Sequence, residues 1–414
     1  MSNSAVTLQG NTRVLILGTL AFAVCFAGWS LFGPLAVYMK AEFNLSSSAV
    51  GLLLATPVLL GSIVRVPIGI LTDEYGGRKI FSALMLFTFF PMFFATFVHS
   101  YPMLLLCGFF FGVAGASFAV GIPQISQWYP KEKQGLALGI YGVGNVGTAL
   151  AVFGAPVIAE SIGWNKVFIF YSFPLLGMAA IYWFFSADAP KPKNARPQTF
   201  SDKIKVYKSS HLIWVFSLFY FMTFGFFVCF ALFLPSYLID TFGVTPIKAG
   251  TFTSIFVFLA TFVRILGGYL GDKFSGRNLL TILSLSLIGV LFYLNLNSSL
   301  TLGLAAFYCM ACLLGIGNGV VFKLVAEYFP KDTGTVGGLV GAAGGLGGFF
   351  LPIAMGTIKD YTNNNSLGFI FISLVCLMCL SFMEKKTFRK SDSTITEKES
   401  TFTKVNKKSE PITL

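Results

Sequence analysis

Residues 61–79 read GSIVRVPIGILTDEYGGRK, and residues 260–277 read ATFVRILGGYLGDKFSGR. At an offset of 199, Val64-Arg65 falls on Val263-Arg264, Gly69 on Gly268, Asp73 on Asp272, and Gly77-Arg78 on Gly276-Arg277. Each stretch is an apolar run with one arginine inside it, ending in glycine and charge. A second pair of landmarks lies further along. Trp128-Tyr129-Pro130-Lys131 matches Tyr328-Phe329-Pro330-Lys331, and Gly135, Gly139 and Gly142 match Gly334, Gly338 and Gly341. Two halves with the same landmarks in the same direction are expected to form two like bundles enclosing a central site.

The surroundings of these stretches set the solvent. Of 414 residues, 55% are hydrophobic and 11% charged, with a mean hydropathy of +0.76. Ordinary soluble domains carry about 25% charge. This composition excludes a soluble globular protein, a disordered chain and a disulfide scaffold. Twelve apolar runs are long enough to cross a bilayer: roughly 13–39, 48–72, 80–98, 102–127, 135–159, 165–186, 212–239, 248–271, 278–296, 300–326, 334–358 and 366–384. The predicted fold class is all-α, a polytopic membrane protein of twelve transmembrane helices in two pseudo-symmetric six-helix bundles.

The one long internal break, 187–211, carries Pro190, Pro192 and Pro197 among basic residues and reads as a linker. The expected domains are a polar N-terminus (1–12), a first bundle (13–186), the linker, a second bundle (212–384) and a disordered tail (385–414). With the N-terminus inside, 22 of the 29 lysines and arginines fall on inside segments. Only Lys40, Lys166, Lys248 and Lys359 fall outside, while Arg65, Arg264 and Lys323 lie within spans. The bias predicts cytoplasmic N- and C-termini. It also accounts for the net charge of +12 without nucleic acid. The short loops and the lack of a targeting segment suggest a bacterial cytoplasmic membrane.

Arg65 and Arg264 are the centre of the functional reading. Each lies about eight residues before its inside loop, roughly 12 Å along the helix. A buried arginine is costly and normally faces a cavity or a partner. A buried carboxylate would be the structural partner, but all seventeen Asp and Glu residues fall in loops, tails or near span ends. Two guanidinium groups at equivalent positions, with no intramembrane acid, imply a mobile anion as counter-charge. The planar, permanently charged fork of arginine suits a planar oxyanion.

Two glycine-dense stretches accompany them. One runs from Gly112 through Gly135 to Gly147, the other from Gly315 through Gly334 to Gly348. A phosphate-binding loop is excluded, since no Gly-Lys-Ser/Thr follows and the stretch lies in a span. Close helix packing explains most of these glycines. Close passage of spans five and eleven by a small ligand explains the rest.

The Gly69, Asp73, Gly76, Arg78 and Lys79 pattern between spans two and three resembles the signature of the major facilitator superfamily, with Glu74 where a basic residue is usual. The resemblance covers residues 13–384 and implies the major facilitator fold. It also implies gating loops in which Asp73, Arg78, Asp272 and Arg277 latch helix ends in one state. Simple anchoring of helix ends is the plainer reading.

The glycine signatures, with both arginines, resemble the nitrate/nitrite porter family. That resemblance implies that Arg65 and Arg264 clamp the substrate and that rings sandwich it. The rings would be Phe118, Tyr220, Phe224 and Phe32. It further implies Asn145 as a ligand, and Asn318 is a neutral candidate on the span-ten glycine face. Lys323 follows the run Gly-x-Gly-Asn-Gly-x-x-Phe, where part of the family has a neutral polar residue. It could pair with Glu327 at i,i+4, or act as a third cation coupling uptake to protons.

The seven cysteines all lie within spans, and the Cys309/Cys312 and Cys376/Cys379 pairs have no His or acid beside them. They read as small apolar residues. His99 and His211 stand at span ends. No metal, cofactor or catalytic constellation is expected, so the chain is read as a non-enzyme. The function expected is a monomeric carrier of nitrate, nitrite or both, working by alternating access. Proton-coupled nitrate uptake is preferred slightly over nitrate/nitrite exchange. The alternatives are another small anion, such as formate or oxalate, and a membrane anion sensor.

Overall fold

The computed structural model describes residues 10–190, 205–208, 210–296, 299–329 and 332–382. Among these, secondary structure is helical throughout, with no strand. The helices are α1 (Thr12–Phe43), α2 (Ser47–Tyr75), α3 (Gly77–Ala95), α4 (Tyr101–Ser126), α5 (Leu136–Ile162), α6 (Trp164–Phe185), α7 (His211–Phe242), α8 (Pro246–Lys273), α9 (Gly276–Leu296), α10 (Leu300–Tyr328), α11 (Thr333–Thr362) and α12 (Ser366–Ser381). The first eleven are long and apolar enough to span a membrane. The last has 16 described residues, about 24 Å of helix. The twelve apolar runs are thus twelve helices. Most of the expected linker, the expected tail and residues 1–9 lie outside the described residues.

Two spans break just before a proline, at Pro34 and Pro67. A proline ring clashes with the carbonyl four residues earlier and gives no N–H. Pro34 breaks α1 at Ser30, and Pro67 breaks α2 at Val64, so Arg65 opens the second segment of α2. The repeat-related position of Pro67 is Leu266, and α8 runs unbroken past Arg264. Glycine tightens two other helices into 3₁₀ turns: Gly112–Ala116 in α4 and Val143–Asn145 in α5.

The halves meet chiefly through α2 against α11 and α5 against α8. α1, α4 and α7 are the most buried spans; α3, α6, α8 and α9 are the least. Residues such as Phe90, Phe94, Phe184, Ile282 and Leu285 are exposed, as a lipid-facing surface requires. At the face away from the chain termini the halves touch backbone to backbone. A Cβ on Gly51 would stand 2.5 Å from the Pro352 carbonyl oxygen, and one on Gly356 would collide with the Ser47 carbonyl.

A candidate anion site between the halves

Arg65 reaches the site from the kinked α2 and is 1% exposed. Its Nε donates to the Gly115 carbonyl at 3.1 Å. Gly115 lies in the 3₁₀ turn of α4, whose tighter winding re-aims its carbonyls. Nη1 of Arg65 donates to the Gly341 carbonyl on α11, in the other half. Arg264, on the straight α8, is only partly buried. Its Nη2 donates to the Tyr220 hydroxyl at 3.5 Å. Among the described residues, neither guanidinium has a carboxylate partner.

Rings from both halves fill the space around the two cations. Tyr220 and Phe224, one turn apart on α7, stack at 5.0 Å and 5°. Phe322 of α10 stands edge-on to Tyr220 at 4.9 Å and to Phe118 of α4 at 5.6 Å. Arg65 lies over Phe224 at 5.6 Å, and Arg264 lies over Phe118 at 5.5 Å and Phe322 at 5.4 Å. Contacts of this kind offset part of the cost of a desolvated cation, about 0.5–2 kcal/mol each. Behind Phe118, Tyr141 stacks at 6.1 Å and donates its hydroxyl proton to the Ser117 carbonyl at 2.7 Å. The segment carrying Phe118 is therefore fixed from behind.

The glycine ladders of α5 and α11 follow the same level scheme. Gly139 and the repeat-related Gly338 have open space where a Cβ would stand. One turn on, a Cβ at Gly142 would be 3.8 Å from Arg264 Nε, and one at Gly341 would be 3.8 Å from Arg65 Nη1. Each arginine thus faces the repeat-related glycine of the opposite half. Beyond them the ladders are shut: Gly144 packs on Phe22, Gly344 on the Tyr220 ring and Gly345 on Ser62. The site is open toward the face bearing the termini and closed toward the other. A cleft lined by Arg65, Gly69, Asp73, Ala119, Gly334 and Gly338 runs along the open side.

Of the side chains singled out from the sequence, Arg65, Arg264, Phe118, Tyr220 and Phe224 come together. Asn145 and Asn318 are both buried, each with an Oδ1 that lacks a hydrogen-bond partner. Asn145 is next to the Gly142 turn, and Asn318 is one turn from Phe322. A buried unsatisfied amide is uncommon and suits a group held for a ligand. Phe32 lies elsewhere: it packs on Phe111 at 5.1 Å and Phe168 at 5.9 Å, inside the first half.

Lys323 donates to Glu327 at 2.6 Å and lies 3.9 Å from Asp272. It is therefore an ion-paired residue at the edge of the bundle. The Arg78 amide donates to Asp188 at 2.9 Å, and its guanidinium lies over Trp183 at 5.6 Å. Gly76, at φ +91°, makes the turn that Asp188 packs against. Asp73 lines the cleft beside α11. Arg277, the last of the four residues expected in the gating loops, follows Gly276 in the first turn of α9.

Phe322 was not among the side chains singled out. It is the Phe that closes the Gly-x-Gly-Asn-Gly-x-x-Phe run, so the signal lay in a motif already noticed. The carbonyls of Gly115 and Gly341 carry no side-chain signal at all.

Two helical halves around a cationic, ring-lined site, open to one face only, define a multi-pass membrane transporter class. The sequence profile of the Major Facilitator Superfamily matches residues 18–352, and the chain belongs to that family. Two relatives and two solved structures extend the comparison. The probable nitrate transporter NarT of Staphylococcus epidermidis is 38% identical over 385 residues, covering 92% of this chain and 98% of its own. The nitrite extrusion protein of Bacillus subtilis is 38% identical over 367 residues, covering 88% and 91%. Among solved structures, a bacterial homologue of the human lysosomal transporter Spinster matches with a TM-score of 0.74 at 20% identity, over 92% of this chain and 98% of that one. A D-xylose–proton symporter matches with a TM-score of 0.73 at 16% identity, over 90% and 97%.

Proposed function

We propose that the chain is a carrier of nitrate, nitrite or both, which binds the anion between Arg65 and Arg264 and exposes it to each face in turn. One observation carries the reading. Two guanidinium groups, one from each half, converge on a single aromatic cluster without a carboxylate partner among the described residues. A small delocalised anion is weakly hydrated, fits between flat rings and supplies the missing charge. The names of the relatives support the same substrate class.

The coupling has two readings, each with its own observation. Arg65 is held by two carbonyls, so the unloaded carrier does not carry a bare buried charge, and this supports net uptake. Lys323 is ion-paired with Glu327 and Asp272 rather than free as a third cation at the site, and this supports exchange. Formate and oxalate remain the competing substrates. The protein acts as a monomer in a bacterial cytoplasmic membrane, with both termini cytoplasmic and no enzymatic step.

The deciding experiment is nitrate uptake into proteoliposomes with and without internal nitrite, under an imposed pH gradient. Uptake that needs internal nitrite and ignores the gradient identifies an exchanger. Gradient-driven uptake into empty vesicles identifies a proton symporter. Absence of nitrate and nitrite flux in both conditions overturns the assignment.

A further inference from the structure

The two arginines stand at repeat-related positions but in unlike states. Arg65 is 1% exposed, and two of its donors are used on the carbonyls of Gly115 and Gly341. Arg264 is partly exposed, with one long bond to Tyr220. At 3.5 Å that bond lies beyond the usual range for N–H···O. The repeat makes the contrast sharper. Arg65 faces Gly341 and bonds its carbonyl; Arg264 faces Gly142 at the same 3.8 Å, yet its bond goes to a phenol instead. The helices that carry them differ as well: α2 breaks just before Pro67, and α8 runs unbroken past Arg264.

We propose that the arginines engage the anion in sequence: Arg264 captures it, and Arg65 joins when the anion replaces the Gly341 carbonyl. This rests on the anion-carrier reading above. The Gly341 carbonyl acts as a surrogate ligand in the unloaded protein. It belongs to α11 while Arg65 belongs to α2, so the bond ties the halves together beside the cleft. Exchanging it for the anion frees that tie only when the site is loaded, and a ligand shifts a conformational balance only through such differential contacts. Gly341 is therefore a positioning residue acting through its backbone.

The test compares Arg264→Lys and Arg65→Lys in the purified full chain. Nitrate binding is measured by calorimetry and turnover in proteoliposomes. Lysine keeps the charge and loses the fork. Arg264→Lys is expected to weaken binding about 30-fold, because it removes the capturing donors. Arg65→Lys is expected to weaken binding only about 3-fold while slowing turnover about 30-fold or more. Gly341→Ala keeps the carbonyl and places its methyl at ordinary contact distance from Arg65 and Phe118. It is expected to fold normally and to slow turnover more than it weakens binding.

Equal loss of affinity in both arginine variants overturns the sequence in favour of a simultaneous clamp, and a larger loss in Arg65→Lys reverses the order. If the parent binds neither nitrate nor nitrite, the substrate reading fails. The same pair of variants titrated with formate and oxalate then decides the order of engagement on its own. No binding of any of these anions overturns both.

Discussion

At the face away from the termini, α1 and α7 are joined by Lys40 and Asp240 at 2.9 Å, and Lys359 of α11 meets the same carboxylate at 2.5 Å. Asp360 accepts from the backbone amides of Ser47 and Ser48 at 2.8 and 2.7 Å, so an acid of the second half caps the start of α2 in the first. At the terminal face, Lys323 pairs with Glu327 and Asp272 inside the second half, and the backbone amide of Arg78 donates to Asp188 inside the first. The glycines differ in the same sense. At the seam between the halves, Gly139 and Gly338 have room beside them, while a Cβ on Gly51, Gly345 or Gly356 would meet the other half. The seam is thus closed at one end and has room at the other, and the proposed alternating access requires that these exchange roles.

The sharpest way to break the comparison is to wedge the sealed end. In Gly51→Leu a side chain would enter where the Pro352 carbonyl already stands. Overpacking of about 1–3 kcal/mol moves a two-state balance by about 5- to 150-fold. Transport is expected to fall by such a factor. A cysteine placed at Gly338, in a background without other reactive thiols, is expected to lose its labelling from the terminal face. Unchanged labelling with lost transport would mean general damage rather than a switched state.

Between the two ends stands Phe322, which touches Arg264, Tyr220 and Phe118. Phe322→Ala removes a ring face from the cation and opens the slot. A cation–π contact in a desolvated site is worth about 1–2 kcal/mol, so anion affinity is expected to fall about 10-fold. Calorimetry on the variant checks this. An affinity within twofold of the parent would remove Phe322 from the site and leave it as packing.

The sequence made the fold legible because lipid forbids half-measures: spans must be apolar, and charge must collect at one face. The repeat was legible because Arg65 and Arg264 are costly residues that stand out against an apolar background. The rings were legible only in part. Among 47 phenylalanines, periodicity does not separate Phe322, at the cations, from Phe32, which packs on Phe111 and Phe168. The carbonyl ligands of Arg65 were hidden because every residue has a carbonyl. Which ones point inward depends on Pro67 and on the 3₁₀ turn at Gly112–Ala116. The sealed end was hidden for a different reason. Lys40 and Lys359 looked like scattered outside charges, and Asp240 joins them across 200 and 119 positions.

A milder probe of the sealed end is Asp240→Asn, which leaves Lys40 and Lys359 without their shared carboxylate. Ion pairs of this exposure contribute up to about 1 kcal/mol, or about a fivefold shift. The expected outcome is slower labelling at the Gly338 position from the terminal face and a transport rate changed by no more than that factor. Raising the salt concentration should weaken the same tie in the parent and shrink the difference between the two proteins. If Asp240→Asn labels faster than the parent, the carboxylate is holding the opposite face open instead of closed.

The smallest effect is expected at the loose end, with Lys323→Gln. Lys323 has a side chain about a quarter exposed and is shared between Glu327 and Asp272, all three in the second half. Its ion pairs therefore do not tie the halves, and removing them leaves the balance of the two faces almost untouched. The cost is limited to what a partly exposed i,i+4 pair contributes to one helix, about 0.3–0.5 kcal/mol. Anion exchange is expected to stay within about twofold of the parent, a shift smaller than 1 kcal/mol can produce. The informative comparison is with and without a pH gradient. If the variant loses only gradient-driven uptake and keeps exchange, then the ion pair must open during the cycle, and Lys323 takes part in the coupling.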